Sequence, residues 1–310
     1  MIIDIADNVA IALAAIMSLL LVATAIAWPQ RKKKHELWLR TRTWWVIILL
    51  LAISIVLPSW VPIALFGLIS FLAFKEFVTL IPTRRADHRV LLWAYLSIPL
   101  QYYWVSIGWY GMFIIFIPVY IFLALPLRMV LAGETQGFIK AAGTVHWGLM
   151  IAVFSLSHAA FLLALPASGN PVAGGDGLLL YLLLLTEIND VGQYCSGKLF
   201  GKHKVVPKVS PNKTVEGLFG GVIITTLVAM LAAPYLTPLS WYEAGAIGFV
   251  LALAGFAGDV TISAVKRDLK LKDSGSLLPG HGGVLDRVDS LTFTAPLYFH
   301  LLAFFAVAKF

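Results

Sequence analysis

Residues 243–262, Glu-Ala-Gly-Ala-Ile-Gly-Phe-Val-Leu-Ala-Leu-Ala-Gly-Phe-Ala-Gly-Asp-Val-Thr-Ile, form an almost wholly apolar run. They lead directly into residues 263–289, Ser-Ala-Val-Lys-Arg-Asp-Leu-Lys-Leu-Lys-Asp-Ser-Gly-Ser-Leu-Leu-Pro-Gly-His-Gly-Gly-Val-Leu-Asp-Arg-Val-Asp, and the chain turns apolar again over 290–308. A helix needs roughly 20 apolar residues to cross a hydrocarbon core of ~30 Å, so the two flanking runs have the length of membrane spans. Between them lies a polar island with five Lys or Arg, a His, a Gly-Gly pair and several carboxylates and serines. Such groups at one membrane edge suit a polar ligand, and the mixture of acids and cations suits a metal-bound, phosphate-rich one.

Outward from this island the chain keeps the same character. It is 60% hydrophobic and 13% charged, with a mean hydropathy of +0.87, more apolar than a 310-residue water-soluble domain requires. Ten candidate spans lie near 9–28, 44–60, 63–81, 90–107, 109–127, 145–166, 178–197, 218–238, 243–262 and 290–308. Several are interrupted by Pro or polar residues. The expected fold is all-α, a polytopic membrane helix bundle with nine or ten transmembrane helices and a polar site at its cytoplasmic edge.

The cations set the orientation. Of 23 Lys and Arg, six lie in 31–42, three in 84–89, two are Arg128 and Lys140, five lie in 198–213 and five in 266–287. These are alternate loops, and the loops between them carry none, so positive-inside counting puts the five basic loops in the cytoplasm and the N-terminus outside. The net charge of +7 follows from that topology and does not point to nucleic acid. The first apolar run has acidic leading residues, Asp4 and Asp7, and its positive charges follow it, so it reads as a retained anchor. The single cysteine, Cys195, excludes an intramolecular disulfide and any Cys-rich metal site.

The chain divides into a transmembrane scaffold, 1–144, and a catalytic region, 145–310, with cytoplasmic loops 198–217 and 263–289. In the first part Trp44, Trp45, Trp60, Trp104 and Trp109 sit near span ends, as in an interfacial belt. In the second, Glu187, Asn189 and Asp190 fall within or at the inner end of a span. An acid at mid-membrane costs about 2.5–3.5 kcal/mol on insertion scales, which makes these residues functional candidates.

Two loops carry the chemistry. In the first, Lys208 precedes Ser210-Pro211-Asn212-Lys213-Thr214, a Lys-bearing polar turn that opens a helix. Free backbone N–H groups and the positive dipole end there suit phosphate. In the second, Asp259, Ser263, Lys266 and Arg267 stand at i, i+4, i+7 and i+8 and share a helix face. Asp286 and Asp289, at i and i+3, share another at the start of the last helix. Carboxylates from two helix ends make an oxygen-rich site of the kind Mg²⁺ uses with substrate phosphates, whereas no His/Cys spacing supports zinc. His281, in its turn, serves equally as a base or as a backbone hydrogen-bonding group. His35, His88, His146, His158 and His300 are isolated and read as structural.

Residues 263–289 resemble the signature of the phosphatidate cytidylyltransferases (CDP-diacylglycerol synthases). The pattern is Ser-x-apolar-Lys-Arg, then Lys-Asp, then Pro-x-His-Gly-Gly-apolar-x-Asp-Arg-apolar-Asp, and every defined position is filled. Gly-Lys-Leu-Phe-Gly-Lys-His-Lys and Ser-Pro-Asn-Lys-Thr-Val-Glu-Gly upstream resemble the family too, so the likeness spans about 187–290. It implies an enzyme that joins CTP and phosphatidic acid into CDP-diacylglycerol and pyrophosphate at a bacterial inner membrane, with a membrane-embedded homodimer as the assembly. It further implies that Asp259 and Asp286 hold the metal, two Mg²⁺ or a mixed pair. Lys266, with Ser263 and Arg267, would stand at the reacting phosphates, with Asp289 in support. Asp190, Lys208, Ser210, Lys213, His281 and Arg287 would bind substrate.

One departure stands out. Family members commonly follow the Asp with Ser or Thr and then small-Ala-Tyr, but here the run is Asp190-Val191-Gly192-Gln193-Tyr194. The loss of a hydroxyl and gain of Gln193 fit a divergent paralogue acting on another lipid phosphate. CTP-dependent polyprenol kinases share the polar-edge logic but not the complete signature. An ion-coupled transporter would place Asp190 and Asp259 mid-membrane between broken helices, whereas here they cluster with cations at one face.

Overall fold

The computed structural model describes residues 6–29, 31, 35–81, 88–131, 133, 135–275, 277 and 282–306. Ten long helices account for nearly all of them: α1 (Asp7–Ala27), α2 (His35–Val56), α3 (Trp60–Leu80), α4 (His88–Ser106), α5 (Tyr110–Val130), α6 (Phe138–Ala164), α7 (Gly174–Phe200), α8 (Val215–Leu236), α9 (Trp241–Asp268) and α10 (Leu285–Ala306). Among the described residues the sole extended pairing is one bridge between Lys204 and Thr214. The all-α membrane class holds. The expected count of nine or ten spans is corrected to eight, the number of helices among the described residues that are long and apolar enough to cross a bilayer. α4 and α7 are the two left out. Gln101 in α4, and Asn189 and Gln193 in α7, are buried polar residues that face protein rather than lipid.

α6 sits at the centre, with 67% of its apolar window buried, and α3, α4 and α10 pack around it. Helices α5 and α6 each contain a π-helical segment, Phe116–Ile121 and Met150–Phe154. His158 is fully buried among Phe113, Phe154 and Phe299, as its isolated position in the sequence suggests. α6 runs unbroken through residues 144 and 145, the boundary expected between scaffold and catalytic region.

The second half is built on α7, α8 and α9, which approach through small residues. In lipid, where apolar surface gains nothing by leaving its surroundings, close backbone packing at small residues is what holds helices together. Gly217 and Gly221 of α8 meet α7 this way: a Cβ at Gly217 would lie 2.8 Å from the Gln193 carbonyl oxygen. α8 and α9 meet at Gly248, where a Cβ would come within 2.5 Å of Ala229 Cβ and 3.0 Å of Thr226 Cα. Gly248→Ala is therefore expected to cost about 1–3 kcal/mol of stability through overpacking, read as a lower unfolding midpoint in detergent. An unchanged midpoint would show that the two helices part freely. The helix starts are fixed locally: Thr214 Oγ1 accepts from Gly217 N (3.1 Å), and Ser240 and Glu243 form a capping box at α9.

Candidate active site

Polar residues on α7 open the site. Asn189, fully buried, donates from Nδ2 to the Ala252 carbonyl of α9 (3.1 Å), and its Oδ1 accepts from Thr225 of α8 (3.5 Å). It ties α7 to both neighbours where an unpaired amide would cost roughly 1–3 kcal/mol. Next to it, Asp190 accepts from Ser290 Oγ of α10 at 3.1 Å.

Lys213 comes in from the turn before α8. Its Nζ lies 2.7 Å from Asp259 Oδ2 and 2.9 Å from Gln193 Oε1, and 5.6 Å from the centre of the Phe256 ring. Ser263 Oγ donates to the other oxygen of Asp259 (3.2 Å), so the i, i+4 spacing does bring those two together.

Lys266 turns away from Asp259 toward a second, more deeply buried carboxylate. Its Nζ lies 2.7 Å from Asp286 Oδ1, while Asp286 Oδ2 accepts from Ser274 N (2.7 Å), Ser274 Oγ (2.9 Å) and Gly283 N (2.9 Å). With Asp286 only 4% exposed, each of these bonds replaces water that the carboxylate has lost. Asp289, one turn on, accepts from Ser290 N (2.8 Å) and interacts as a charge with Asp259, Asp190 and Lys266.

Glu76 of α3 closes the site from the scaffold half. Its Oε1 accepts from Val284 N (2.9 Å), and its Oε2 from Leu285 N (2.8 Å) and Ser274 Oγ (3.2 Å). A carboxylate at a helix N-terminus satisfies free N–H groups and complements the dipole. Gly275 and Gly283 leave room for it: a Cβ at Gly283 would fall 2.3 Å from Glu76 Oε2. Sequence reading treated 1–144 as scaffold and missed this residue. The one available signal was an acid inside an apolar span, the rule that singled out Glu187 and Asp190.

The remaining candidates lie around the cluster. Arg287 is exposed and interacts as a charge with Glu187 and Asp190. Arg267 points outward, donating to the carbonyls of Val209 (3.2 Å) and Leu271 (2.8 Å), and so joins the loop before α8 to the end of α9. Ser210 is part of the turn that delivers Lys213, through its carbonyl at 3.2 Å from Lys213 N. Lys208 is exposed and has no ion-pair partner among the described residues. His281 lies outside the described residues.

The site is rich in acids: Glu76, Glu187, Asp190, Asp259, Asp286 and Asp289 gather around Lys213, Lys266 and Arg287. Among the described residues no three carboxylate, His or Cys groups form a ready-made cage. Mg²⁺ does not require one, since it usually binds through one or two carboxylates, with waters and substrate phosphates completing its shell. The residues present therefore fit such an ion.

The sequence matches the Cytidylyltransferase family over residues 38–305. It is 46% identical over 298 residues to the uncharacterized protein YnbB of Escherichia coli (strain K12), covering 94% of this chain and 97% of that protein. It is also 44% identical over 122 residues to a phosphatidate cytidylyltransferase of Staphylococcus aureus (strain COL), covering 38% of this chain and 46% of that protein. A phosphatidate cytidylyltransferase of Mycobacterium leprae (strain TN) is 44% identical over 117 residues, or 38% of each chain.

Proposed function

Because the chain belongs to the cytidylyltransferase family, we propose that this multi-pass membrane nucleotidyltransferase moves the cytidylyl group of CTP onto phosphatidic acid. A phosphate oxygen of the lipid attacks the α-phosphorus of CTP. The bond from that phosphorus to the bridging oxygen breaks, and pyrophosphate leaves as CDP-diacylglycerol forms. The nucleophile is already an anion, so the protein's task is positioning and charge neutralisation rather than proton abstraction.

The observation that carries this reading is the pairing of Asp259 with Lys213 and of Asp286 with Lys266, each at 2.7 Å, inside an acid-rich site. Asp259 and Asp286 are the residues we assign to a divalent cation, with Asp289 and Asp190 adding to the local negative field. Such an ion, when bound, supplies charge neutralisation on the reacting phosphates. Lys213 and Lys266, each beside one of these carboxylates, would supply positive charge to the phosphate oxygens. Ser263 orients Asp259, and Asn189 holds α7 in register. The five basic loops support a site on the cytoplasmic side of a bacterial inner membrane, where CTP arrives from water and the lipid from the leaflet.

A second reading keeps the chemistry and changes the lipid. The uncharacterized relative is matched over 94% of this chain, whereas the likeness to the Staphylococcus aureus phosphatidate cytidylyltransferase covers 38% of it. Purified protein given CTP, Mg²⁺ and a panel of lipid phosphates should release pyrophosphate, fastest with phosphatidic acid. Faster release with another lipid phosphate would favour the second reading. No release with any of them, from protein that melts cooperatively, would overturn both.

A further inference from the structure

Gln193, the residue that departs from the family pattern, has a side-chain amide only half used. It is 4% exposed, and Oε1 accepts from Lys213 Nζ at 2.9 Å. An ammonium can only donate, so the atom facing it must be the amide oxygen, which fixes Nε2 as the other end. Nε2 is buried and has no hydrogen-bond partner among the described residues. A buried donor left unsatisfied costs about 1–3 kcal/mol, more than a close-packed helix interface has reason to sacrifice. The position is purpose-fitted as well: a Cβ at Gly221 would fall 2.4 Å from Gln193 Cγ, so the facing helix makes room for this side chain.

Lys213 is incompletely used in the same way. It has three N–H donors, of which Asp259 and Gln193 take two, and its side chain remains 19% exposed. The third ammonium hydrogen and the Gln193 amide N–H₂ belong to directly bonded neighbours. We propose that together they form a two-donor clamp for a phosphate oxygen of a substrate, with Gln193 as a specificity-determining residue of the reaction. This rests on the cytidylyl-transfer reading of the site. The anionic oxygen could come from the lipid phosphate or from the nucleotide.

Gln193→Glu keeps the shape and the oxygen that faces Lys213 but replaces the donor with an acceptor; Gln193→Met removes both polar atoms. In steady-state assays on purified full-length protein, both variants should raise the KM of one phosphate substrate about tenfold, the loss of one hydrogen bond to a charged oxygen. kcat and the other KM should stay within about threefold. A rise confined to the lipid phosphate identifies the lipid as the source, and one confined to CTP identifies the nucleotide. Unchanged KM values for both substrates, or both KM values and kcat shifting together, would overturn the clamp. If the wild type turns over no lipid phosphate, the cytidylyl-transfer reading is what fails. The clamp is then judged by thermal stabilisation with CTP and with phosphatidic acid, at least one of which should stabilise wild type more than Gln193→Glu; equal stabilisation by both overturns it.

Discussion

Asp259→Asn and Asp286→Asn each remove cytidylyl transfer, by a hundredfold or more, for different reasons. At Asp259 the change is mainly electrostatic. The side chain keeps its size and an oxygen for Ser263, but Lys213, 2.7 Å away, loses its counter-charge, and the site loses the carboxylate assigned to the cation. Losing a single preorganised electrostatic group typically costs about 10²–10³ in kcat, so the protein should fold normally and turn over at around that deficit. At Asp286 the change is structural as well. The carboxylate accepts from Lys266 and from three donors on Ser274 and Gly283. An asparagine offers one oxygen and points an N–H₂ group at one set of those donors. Lys266, 8% exposed, is left as a buried charge without its partner. Breaking a buried pair this way costs roughly 3–5 kcal/mol, so the unfolding midpoint should fall together with turnover. Initial rates and melting curves on the same preparations separate the two cases. Near-wild-type turnover in either variant removes that residue from the cation site. A normal melting midpoint in Asp286→Asn would mean that the Lys266 pair does not hold the loop.

What the sequence made legible follows from what is local. Apolar runs mark helices because lipid demands it, and the ten expected stretches correspond to ten helices, two of which are not among the eight candidate spans. In those two, part of the polarity faces inward, and a linear run cannot show which way a Gln or Asn points. Within one helix, spacing works: Asp259 and Ser263 meet as i, i+4 requires. It works less well where a helix end meets a loop. Lys266 shares the sequence face of Asp259 yet is drawn to Asp286, because α10 brings a buried carboxylate within reach of its long side chain. Arg267, adjacent in the signature, bonds to backbone carbonyls instead. Contacts across about two hundred residues leave the weakest trace, and the most consequential is Glu76, which accepts from Val284 N and Leu285 N.

Glu76→Ala should lower kcat about ten- to a hundredfold, although the residue touches none of the lysines or aspartates assigned to phosphate or cation. Its carboxylate accepts from the N–H of Val284, just before α10, from that of Leu285, its first residue, and from the Ser274 hydroxyl. Asp286 follows Leu285 directly and Asp289 lies one turn on, so whatever sets the start of α10 also sets where those two carboxylates point. Loss of a capping acid costs about 0.5–2 kcal/mol, a modest fall in the melting midpoint. The catalytic loss should be larger in proportion, because small misplacement of a charged group is amplified at a phosphoryl centre. Ser274 gives the coupling a second route: its single hydroxyl proton lies within reach of both Glu76 and Asp286, and its backbone N–H donates to Asp286. Glu76→Gln discriminates between positioning and bulk stability. It keeps the length and one carbonyl oxygen, so it can still accept from one of the two backbone N–H groups and should recover part of the lost kcat. The KM for CTP should stay within about threefold in both variants, because the residue acts through α10 and not on the nucleotide. If Glu76→Ala melts and turns over like the wild type, the cap is dispensable and α10 finds its start without the scaffold half. If Glu76→Gln is as inactive as Glu76→Ala, the negative charge itself, and not the hydrogen-bond geometry, is what α10 requires.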